Sequence, residues 1–187
     1  MASIDVEIGL IGGAEMRDIV LCDYNPDWPD QYESEAAKIR RAMGNRALQI
    51  EHIGSTAVQL LAAKPIIDIL LIIADPGDEA EYLPALLAAG YQLRVREPED
   101  DQHRMLRTPE RDVHIHIYPP WSAEVDRYLL FRDQLRASEN DRIEYERTKR
   151  RLAQRAWADM NDYAAAKSEI VEAIIASRRA DLLKNDT

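Results

Sequence analysis

A small-residue turn followed by one carboxylate in an apolar strand is the first feature of this sequence that could do chemistry. Gly54, Ser55 and Thr56 follow a predicted strand, and Asp68 interrupts the Ile- and Leu-rich run from Pro65 to Ala74. Glycine lacks the Cβ that would hold a phosphate away from the backbone, and such a turn offers N–H groups and hydroxyls. A charge inside an apolar strand needs a partner or a ligand. The pattern predicts a phosphate site, with an ordinary turn as the alternative, since the P-loop spacing is absent.

A pair of histidines lies on one face of another predicted strand, Val113–Tyr118. Successive strand residues point to opposite faces, so His114 and His116 share the face opposite to Ile115. Such a pair could bind Zn²⁺ or contact a phosphate. It could also line a pocket without metal, or form a hydrogen-bonded surface pair, and the sequence leaves these alternatives open.

Lysines and one tyrosine could complete an anion site. Lys64 lies at the start of the Asp68 strand, where it could contact a phosphate or a carboxylate, or remain a solvated loop lysine. Tyr163 and Lys167 are four residues apart on a predicted helix, so they share a face that could point back to the cleft. Lys149, on the basic helix before them, is a further candidate substrate contact.

Two arginines form a second possible anion clamp. Arg132 and Arg136 are spaced i, i+4 and therefore share one face of a predicted helix. Two guanidinium groups could hold an anion in a bidentate manner. The neighbouring Asp133 favours the alternative, a salt-bridged surface.

The elements that must position these residues follow from hydrophobic periodicity and from turn residues. Strands are predicted over 18–22, 47–53, 65–74, 91–96, 103–107 and 113–118, and helices over 30–44, 78–89, 122–137, 140–157 and 161–179. The short connections between the last three strands predict an antiparallel meander. The fold class is therefore α+β: a mixed, mostly antiparallel sheet with flanking helices and a C-terminal helical bundle. Residues 1–17 are a loosely attached lead-in, 18–120 an α/β domain and 121–187 a helical region.

Composition bounds the class of partner. The 187 residues carry a net charge of -10, which argues against nucleic acid as the main partner, because phosphate backbones attract clustered Lys and Arg. The single cysteine excludes an internal disulfide and a Cys-rich zinc site and fits a reducing cytoplasm. The N-terminus lacks the pattern of a signal peptide, and no apolar run approaches the ~20 residues needed to span a bilayer. We expect a cytoplasmic protein with a small-molecule or nucleotide ligand and no membrane partner.

The spacing of the turn and Asp68 resembles a superfamily motif. Gly54-Ser55, twelve further residues and then Asp68-Ile69-Leu70 are similar to the motif of nucleotidyltransferases with the polymerase-β-like fold. The resemblance implies that Gly-Ser contacts a triphosphate and that Asp68 holds Mg²⁺. Leu70 stands at the position of the second carboxylate, so the usual two-metal cage lacks a ligand. His116 stands where the superfamily usually carries its third carboxylate.

Several segments in order resemble the GrpB family, also called UPF0157. They read VLCDYNPDWPDQYESEAAKIR, IEHIGSTAV, LAAKPIIDI, HIHIY, FRDQLR, EYERTKRRLA and YAAAKSEI, and they span roughly residues 18–178. The resemblance implies a nucleotidyltransferase-like α/β domain followed by helices. This sequence departs at Gln59 and Leu60, where family members usually carry Pro-Gly. The loop thus loses a stiff and a flexible residue.

Together these observations predict an enzyme that binds a nucleoside triphosphate with Mg²⁺ and transfers a nucleotidyl group to a small-molecule acceptor. The expected catalytic group is Asp68, His116 and Arg132, with the last two and His114 on the acceptor side, and Asp68 as the metal ligand. The alternative is a catalytically degenerate module that binds a small anionic ligand or a protein partner. A metal-dependent hydrolase built on the histidine pair is a third possibility. The expected substrate contacts are Gly54, Ser55, Thr56, Lys64, His114, Lys149, Tyr163 and Lys167.

Overall fold

The described part of the chain contains six strands, six α-helices and two short 3-10 helices. A computed structural model describes residues 8–13, 19–155, 157 and 160–185. The strands are β1 (Gly9–Leu10), β2 (Gln49–Ile53), β3 (Ile67–Ile72), β4 (Gln92–Glu97), β5 (His103–Arg107) and β6 (Val113–Tyr118). The helices are α1 (Trp28–Met43), α2 (Glu79–Ala88), α3 (Ala123–Ala137), α4 (Glu139–Ala153), α5 (Met160–Ala165) and α6 (Ser168–Asn185).

The strands form one mixed sheet in the order β1-β4-β5-β6-β3-β2. Only β3 and β6 pair in parallel, and the other neighbours are antiparallel. The predicted α+β fold and the β4–β5–β6 meander are confirmed. In the parallel pair Asp68 lies opposite His114, and Leu70 lies opposite His116. The one parallel junction of the sheet therefore joins the two strands that carry the candidate chemistry.

Side-chain alternation gives the sheet two different faces. On one face Ile69 and Ile115 join the large core under α1 and α2. On the other face Leu70 packs with Tyr118 and with Val125 of α3. Burying such a side chain stabilises the fold by ~1.5–3 kcal/mol. Since Asp68 shares its strand face with Leu70, the candidate site lies on the face that the C-terminal helices cover.

A third apolar cluster attaches the loop after β2 to the C-terminal helices. Val58 and Leu61 of the loop pack against Leu135 of α3, Tyr145 of α4 and Ile174 of α6. All five side chains are buried. The helices therefore hold the loop that follows the Gly-Ser turn, and their basic residues are brought close to that turn.

Several predicted boundaries need correction. Helix α1 begins at Trp28 rather than at residue 30, and Asp27 is its N-cap residue. Pro29 is tolerated in the first turn, because the N–H that proline lacks would have no intrahelical partner there. The predicted strand 18–22 is a single bridge between Cys22 and Ala63, and residue 18 lies outside the described residues. Part of the lead-in forms β1, which pairs with β4.

The C-terminal helices also differ from the prediction. Helix α4 ends at Ala153, and the indole of Trp157 donates to the carbonyl of Leu152 (2.8 Å). The predicted helix over 161–179 is two helices, α5 and α6, because the chain turns at residues 166 and 167. The turn places Lys167 directly before α6. Among the described residues no helix has the length and apolar character needed to cross a membrane.

Leu60 has a backbone conformation that favours glycine, the residue that members of the resembled GrpB family usually carry at this position. Its φ is 65°, and its side chain is 78% exposed. The left-handed region costs a non-glycine residue ~1–2 kcal/mol. Against this, glycine costs ~0.5–1 kcal/mol in chain entropy. Leu60→Gly is therefore expected to raise the free energy of unfolding by up to ~1 kcal/mol in denaturant titrations.

The neighbouring residue provides the control for this substitution. Gln59 is not among the residues with positive φ, so Gln59→Gly should lower the free energy of unfolding by ~0.5–1 kcal/mol. If both glycine substitutions destabilised the protein equally, strain at Leu60 would be excluded.

Candidate functional site

A cavity of about 130 Å³ lies beside the parallel strand pair, on the face covered by the C-terminal helices. Residues from the sheet, from the Gly-Ser turn and from the C-terminal helices surround it. They are Leu21, Ser55, Lys64, Ile66, Asp68, His114, Lys149, Tyr163 and Lys167. Most of the residues selected from sequence are therefore brought together around one cavity.

Gly54 makes room for the carboxylate of Asp68. An added Cβ at Gly54 would lie 2.5 Å from Oδ2 of Asp68, closer than real contacts allow. The φ of Gly54 is also 75°, a conformation that favours glycine. Both observations require glycine at this position. The close approach of Asp68 and the backbone conformation explain this requirement without a bound ligand.

Asp68 is an ionised carboxylate held by cationic neighbours. Its Oδ1 lies 3.4 Å from Nδ1 of His114, and its side chain is 30% exposed. Burial alone would raise the pKa of Asp68, but the hydrogen bond from His114 and the electrostatic interactions with His114, His116 and Lys64 hold that pKa below its usual range. The carboxylate is thus available as an acceptor or a ligand at neutral pH.

His116 is the end of a chain of three polar side chains. Nδ1 of His103 lies 2.7 Å from the Glu97 carboxylate, and Nε2 of His103 lies 3.3 Å from Nδ1 of His116. Burial lowers the pKa of His116 to about 3, against the opposing charge of Asp68. His116 is therefore neutral at physiological pH. Sequence reasoning missed His103 and Glu97, and the only available signal was their position at the two ends of the predicted β4–β5 connection.

Three potential metal ligands lie close together on the parallel strands β3 and β6. Asp68, His114 and His116 each offer one potential ligand atom, and these atoms all lie within 4.8 Å of one another. One carboxylate and two imidazoles could hold a divalent ion.

Three lysines surround the same cavity. Lys149 is 3% exposed, and its ammonium donates to the Ser55 hydroxyl (3.2 Å) and to the Ala62 carbonyl. Burial, with repulsion from Lys167, lowers the pKa of Lys149 to about 7. Burial, with repulsion from Lys64, lowers the pKa of Lys167 to about 8. Such crowding of positive charge is costly without an anion, so the arrangement favours an anionic ligand.

Tyr163 connects two of these lysines and has an unpaired hydroxyl. The ammonium groups of Lys64 and Lys167 lie 5.0 and 4.6 Å from its ring centroid. Its hydroxyl is buried and finds no hydrogen-bond partner among the residues that the structure describes. A buried unpaired polar atom beside a cavity is expected where a ligand supplies the missing partner.

Arg132 lies outside the cavity, and its predicted place on the acceptor side is corrected. Its Nη1 donates to the Glu51 carboxylate (2.6 Å) and to the carbonyl of His52 (3.2 Å). Its Nε donates to Asp133 (2.8 Å). Arg136 donates to the Ala57 carbonyl (3.0 Å) instead of completing a clamp. The bonds to Glu51 and His52 hold α3 on β2, and the bond to Ala57 holds α3 on the turn after β2, so both arginines have a structural role.

Thr56 also has a role inside the protein. Its hydroxyl donates to the carbonyl of Ile66 (3.1 Å) and lies 3.0 Å from Nε2 of His52. His52 in turn stacks on the ring of Tyr32 at 4.6 Å. Thr56 lines a second, larger groove of about 480 Å³ with Tyr32 and Arg136. Thr56 therefore holds the turn by internal hydrogen bonds and is not among the residues that line the smaller cavity.

Comparison with known proteins identifies the family. The family model described as GrpB protein matches residues 18–177. The chain belongs to the GrpB family. A UPF0157 protein of Streptomyces coelicolor is 52% identical over 167 residues, which cover 89% of this GrpB-family chain and 88% of that protein. The crystal structure of GrpB from Enterococcus faecalis has a TM-score of 0.76 at 30% identity and covers 88% of this chain and 99% of that chain.

A more distant similarity concerns the fold of this GrpB-family chain. A structure of the Cid1 poly(U) polymerase bound to MgATP has a TM-score of 0.50 at 9% identity, covering 71% of this chain and 44% of that chain. At this identity the likeness is one of fold. It confirms the predicted nucleotidyltransferase fold.

The magnesium cage that the superfamily resemblance implies does not fit the residues of this GrpB-family chain. Leu70, at the second carboxylate position, is fully buried in the core under α3 and offers no ligand atom. The residues opposite Asp68 and Leu70 on β6 are histidines. Mg²⁺ prefers oxygen ligands in near-octahedral geometry. Asp68 alone provides a carboxylate here, so a two-magnesium arrangement lacks its donors.

Proposed function

We propose that this protein binds a nucleoside triphosphate by its phosphates and transfers the nucleotidyl group to a small-molecule acceptor. The observation that carries the proposal is the convergence of three lysines and the Ser55 hydroxyl on one cavity beside the ionised Asp68. Support also comes from the nucleotidyltransferase fold. In the reaction the oxygen of an acceptor hydroxyl attacks the α-phosphorus and forms a new P–O bond. The bond from that phosphorus to the oxygen bridging to the β-phosphate breaks, pyrophosphate leaves, and the hydroxyl proton passes to solvent.

The cavity fits the phosphates rather than the whole nucleotide. Its volume of about 130 Å³ is below the ~300–1,000 Å³ of pockets that enclose a drug-sized ligand. The sugar and the base would therefore lie outside it. Lys64, Lys149 and Lys167 would neutralise the phosphates, and the Tyr163 hydroxyl would gain a hydrogen-bond partner. Positioning and charge neutralisation are the main contributions that phosphoryl chemistry needs from a protein.

The acceptor would approach from the side of Asp68 and His114. Asp68 repels a phosphate unless a cation lies between them, so this side suits a cation and a neutral acceptor better than it suits a second anion. The expected Mg²⁺ has one carboxylate here, Asp68, and we assign no catalytic step to it.

A second candidate function uses the same cavity without a reaction. The buried Leu70 and the single carboxylate favour a catalytically degenerate module that binds a small anionic ligand. The two proposals differ in whether ligand binding depends on a divalent ion. The third possibility, a hydrolase built on the histidine pair, would require a bound metal for activity.

Calorimetric titration with ATP, GTP, CTP and UTP, each with and without a divalent ion, tests the proposal. We expect one nucleotide to bind with metal-dependent affinity, and Lys167→Met to weaken that binding at least about 10-fold, since a charge-assisted contact contributes ~1.5–3 kcal/mol. Lys38→Met is the matched control, because Lys38 also lies over a tyrosine ring, that of Tyr91 (4.4 Å), away from the cavity. It should leave the affinity unchanged.

The same titrations have an expected pH dependence. Lys149 and Lys167 carry their charge below pKa values of about 7 and 8, so the affinity should fall as the pH rises from 6 to 9. Lys167→Met should flatten the upper part of this profile. Metal-independent binding would favour the degenerate module, and no binding to any nucleotide would contradict the transferase.

A further inference from the structure

We propose that Asp68, His114 and His116 hold one divalent transition ion of the Zn²⁺ or Mn²⁺ kind, and that the site discriminates against Mg²⁺. The inference names the ion of the cavity on which the proposed function rests. Its basis is geometric: three donors on two adjacent parallel strands, with potential ligand atoms within 4.8 Å of one another.

The chemistry of the donors selects the ion. Two imidazole nitrogens and one carboxylate oxygen suit Zn²⁺, Mn²⁺ or Fe²⁺, whereas Mg²⁺ requires oxygen ligands. The fourth residue of this part of the two strands is Leu70, whose buried side chain adds no oxygen. Three protein ligands would leave coordination positions free, as catalytic metal sites do. Ser55 and Lys167 line the same cavity as Asp68 and His114, and phosphate oxygens are proposed to bind there.

An outer chain of hydrogen bonds prepares His116 for this role. We assign to His103 the tautomer in which Nδ1–H donates to Glu97, which makes its Nε2 an acceptor. Nδ1 of His116, 3.3 Å away, must carry the hydrogen of that bond. The lone pair of His116 is consequently on Nε2, the nitrogen that His103 does not engage. Hydrogen bonds that orient a metal-binding imidazole through its other ring nitrogen are a regular feature of metal sites.

His103 is therefore a positioning residue, and it is firmly held. Its ring stacks on those of Tyr118 (4.5 Å) and His116 (5.5 Å), and its side chain is buried. The register of β5 against β4 and β6 places it between Glu97 and the His116 strand. Packing thus fixes both the donor and the acceptor of each bond.

Titration of the metal-free, full-length protein with ZnCl₂, MnCl₂ and MgCl₂, each alone and without nucleotide, tests the site. We expect one equivalent of Zn²⁺ to bind at least about 100-fold more tightly than Mg²⁺. Co²⁺ should give visible absorption bands of a nitrogen- and oxygen-ligated ion. His114→Gln and His116→Gln should each abolish stoichiometric Zn²⁺ binding.

His52→Gln is the control histidine, because His52 bonds to Thr56 and lies outside the cluster. It should leave Zn²⁺ binding unchanged, with folding of each variant checked by circular dichroism. Equal affinity for Mg²⁺ and Zn²⁺, or full Zn²⁺ binding in both cluster variants, would overturn the assignment.

The outer chain has its own test. His103→Phe keeps a ring between Tyr118 and His116 but removes the acceptor, and it should weaken Zn²⁺ binding about 10- to 100-fold. Imidazole ¹⁵N chemical shifts should show the Nδ1–H tautomer of His116 in the parent protein and lose it in this variant. An unchanged His116 tautomer in His103→Phe would exclude the chain.

Failure of this inference and failure of the proposed function give different results. Zn²⁺ binding without any nucleotide binding would remove the transferase proposal and leave the metal site. Nucleotide binding that depends on Mg²⁺, with no transition-ion site, would remove the metal assignment and leave the transferase.

Discussion

Asp68→Asn is expected to lower nucleotidyl transfer by at least about 10²-fold while the chain stays folded. The substitution keeps the size of the side chain and removes the negative charge of Asp68, which lies among the cations around the cavity. It also removes the carboxylate ligand of the proposed metal site. Loss of one preorganised electrostatic contact at a reacting centre typically costs ~2.7–4 kcal/mol in the barrier. Turnover is measured with the nucleotide identified by titration, and folding by thermal unfolding.

Asp133→Asn is the matched control for Asp68→Asn. Asp133 also pairs with a cation, Arg132 (2.8 Å), but outside the cavity. Its replacement should leave turnover and nucleotide binding close to those of the parent protein, with a change of ~0–1 kcal/mol in the free energy of unfolding, as for an exposed ion pair. Unchanged turnover in Asp68→Asn would refute the transferase assignment, and equal loss in both variants would indicate a general effect on the fold.

The strands of the site could be predicted closely because their patterns are local. The alternation from Val113 to Tyr118 and the apolar run containing Asp68 each identify a strand without knowledge of its neighbours. The turn at Gly54 before the Asp68 strand and the turn Asp75-Pro76-Gly77 after it mark where that part of the chain begins and ends. The shared face of His114 and His116 follows from the same period of two, so the sequence alone placed the pair correctly relative to each other.

Contacts across long sequence separations could not be predicted from spacing. Arg132 was expected to clamp an anion because of its spacing to Arg136, yet its partner Glu51 lies 81 residues away on β2. His103 was not selected because its relation to His116 depends on how β5 pairs with β6. In both cases the partner of the side chain depends on how strands and helices pack in the tertiary structure, and no local sequence pattern specifies that packing.

Lys149 and Lys167 were selected from sequence and do line the cavity, but their position there also depends on tertiary packing. Their place in the cavity depends on the packing of three helices against the loop after β2, and apolar residues such as Leu61 and Ile174 bring that packing about. Lys149 was a candidate from its place on the predicted basic helix, and helical spacing related Lys167 only to Tyr163. A helical pattern predicts which face of the helix a residue lies on. Which part of the protein that face packs against depends on the apolar contacts between elements.

Gly54→Ala is expected to disable the site through a single added methyl group. The new Cβ would lie 2.5 Å from Oδ2 of Asp68. The φ of residue 54 is also 75°, a backbone conformation that strains any residue other than glycine. Asp68 would have to move away from His114, or the turn carrying Ser55 would have to open. We expect the free energy of unfolding to fall by ~2 kcal/mol or more, because strain and overpacking add, and metal and nucleotide binding to be lost.

Gly90→Ala separates the two causes of this effect. Gly90 also has a positive φ, 96°, but an added Cβ there meets no atom within 4 Å. Its replacement should cost only the conformational strain, ~1–2 kcal/mol, and leave ligand binding intact. The loss in Gly54→Ala beyond that value then measures the collision with Asp68. Equal destabilisation in the two variants, with ligand binding retained in both, would mean that the turn yields without disturbing the carboxylate, and the close approach of Gly54 to Asp68 would not control the site.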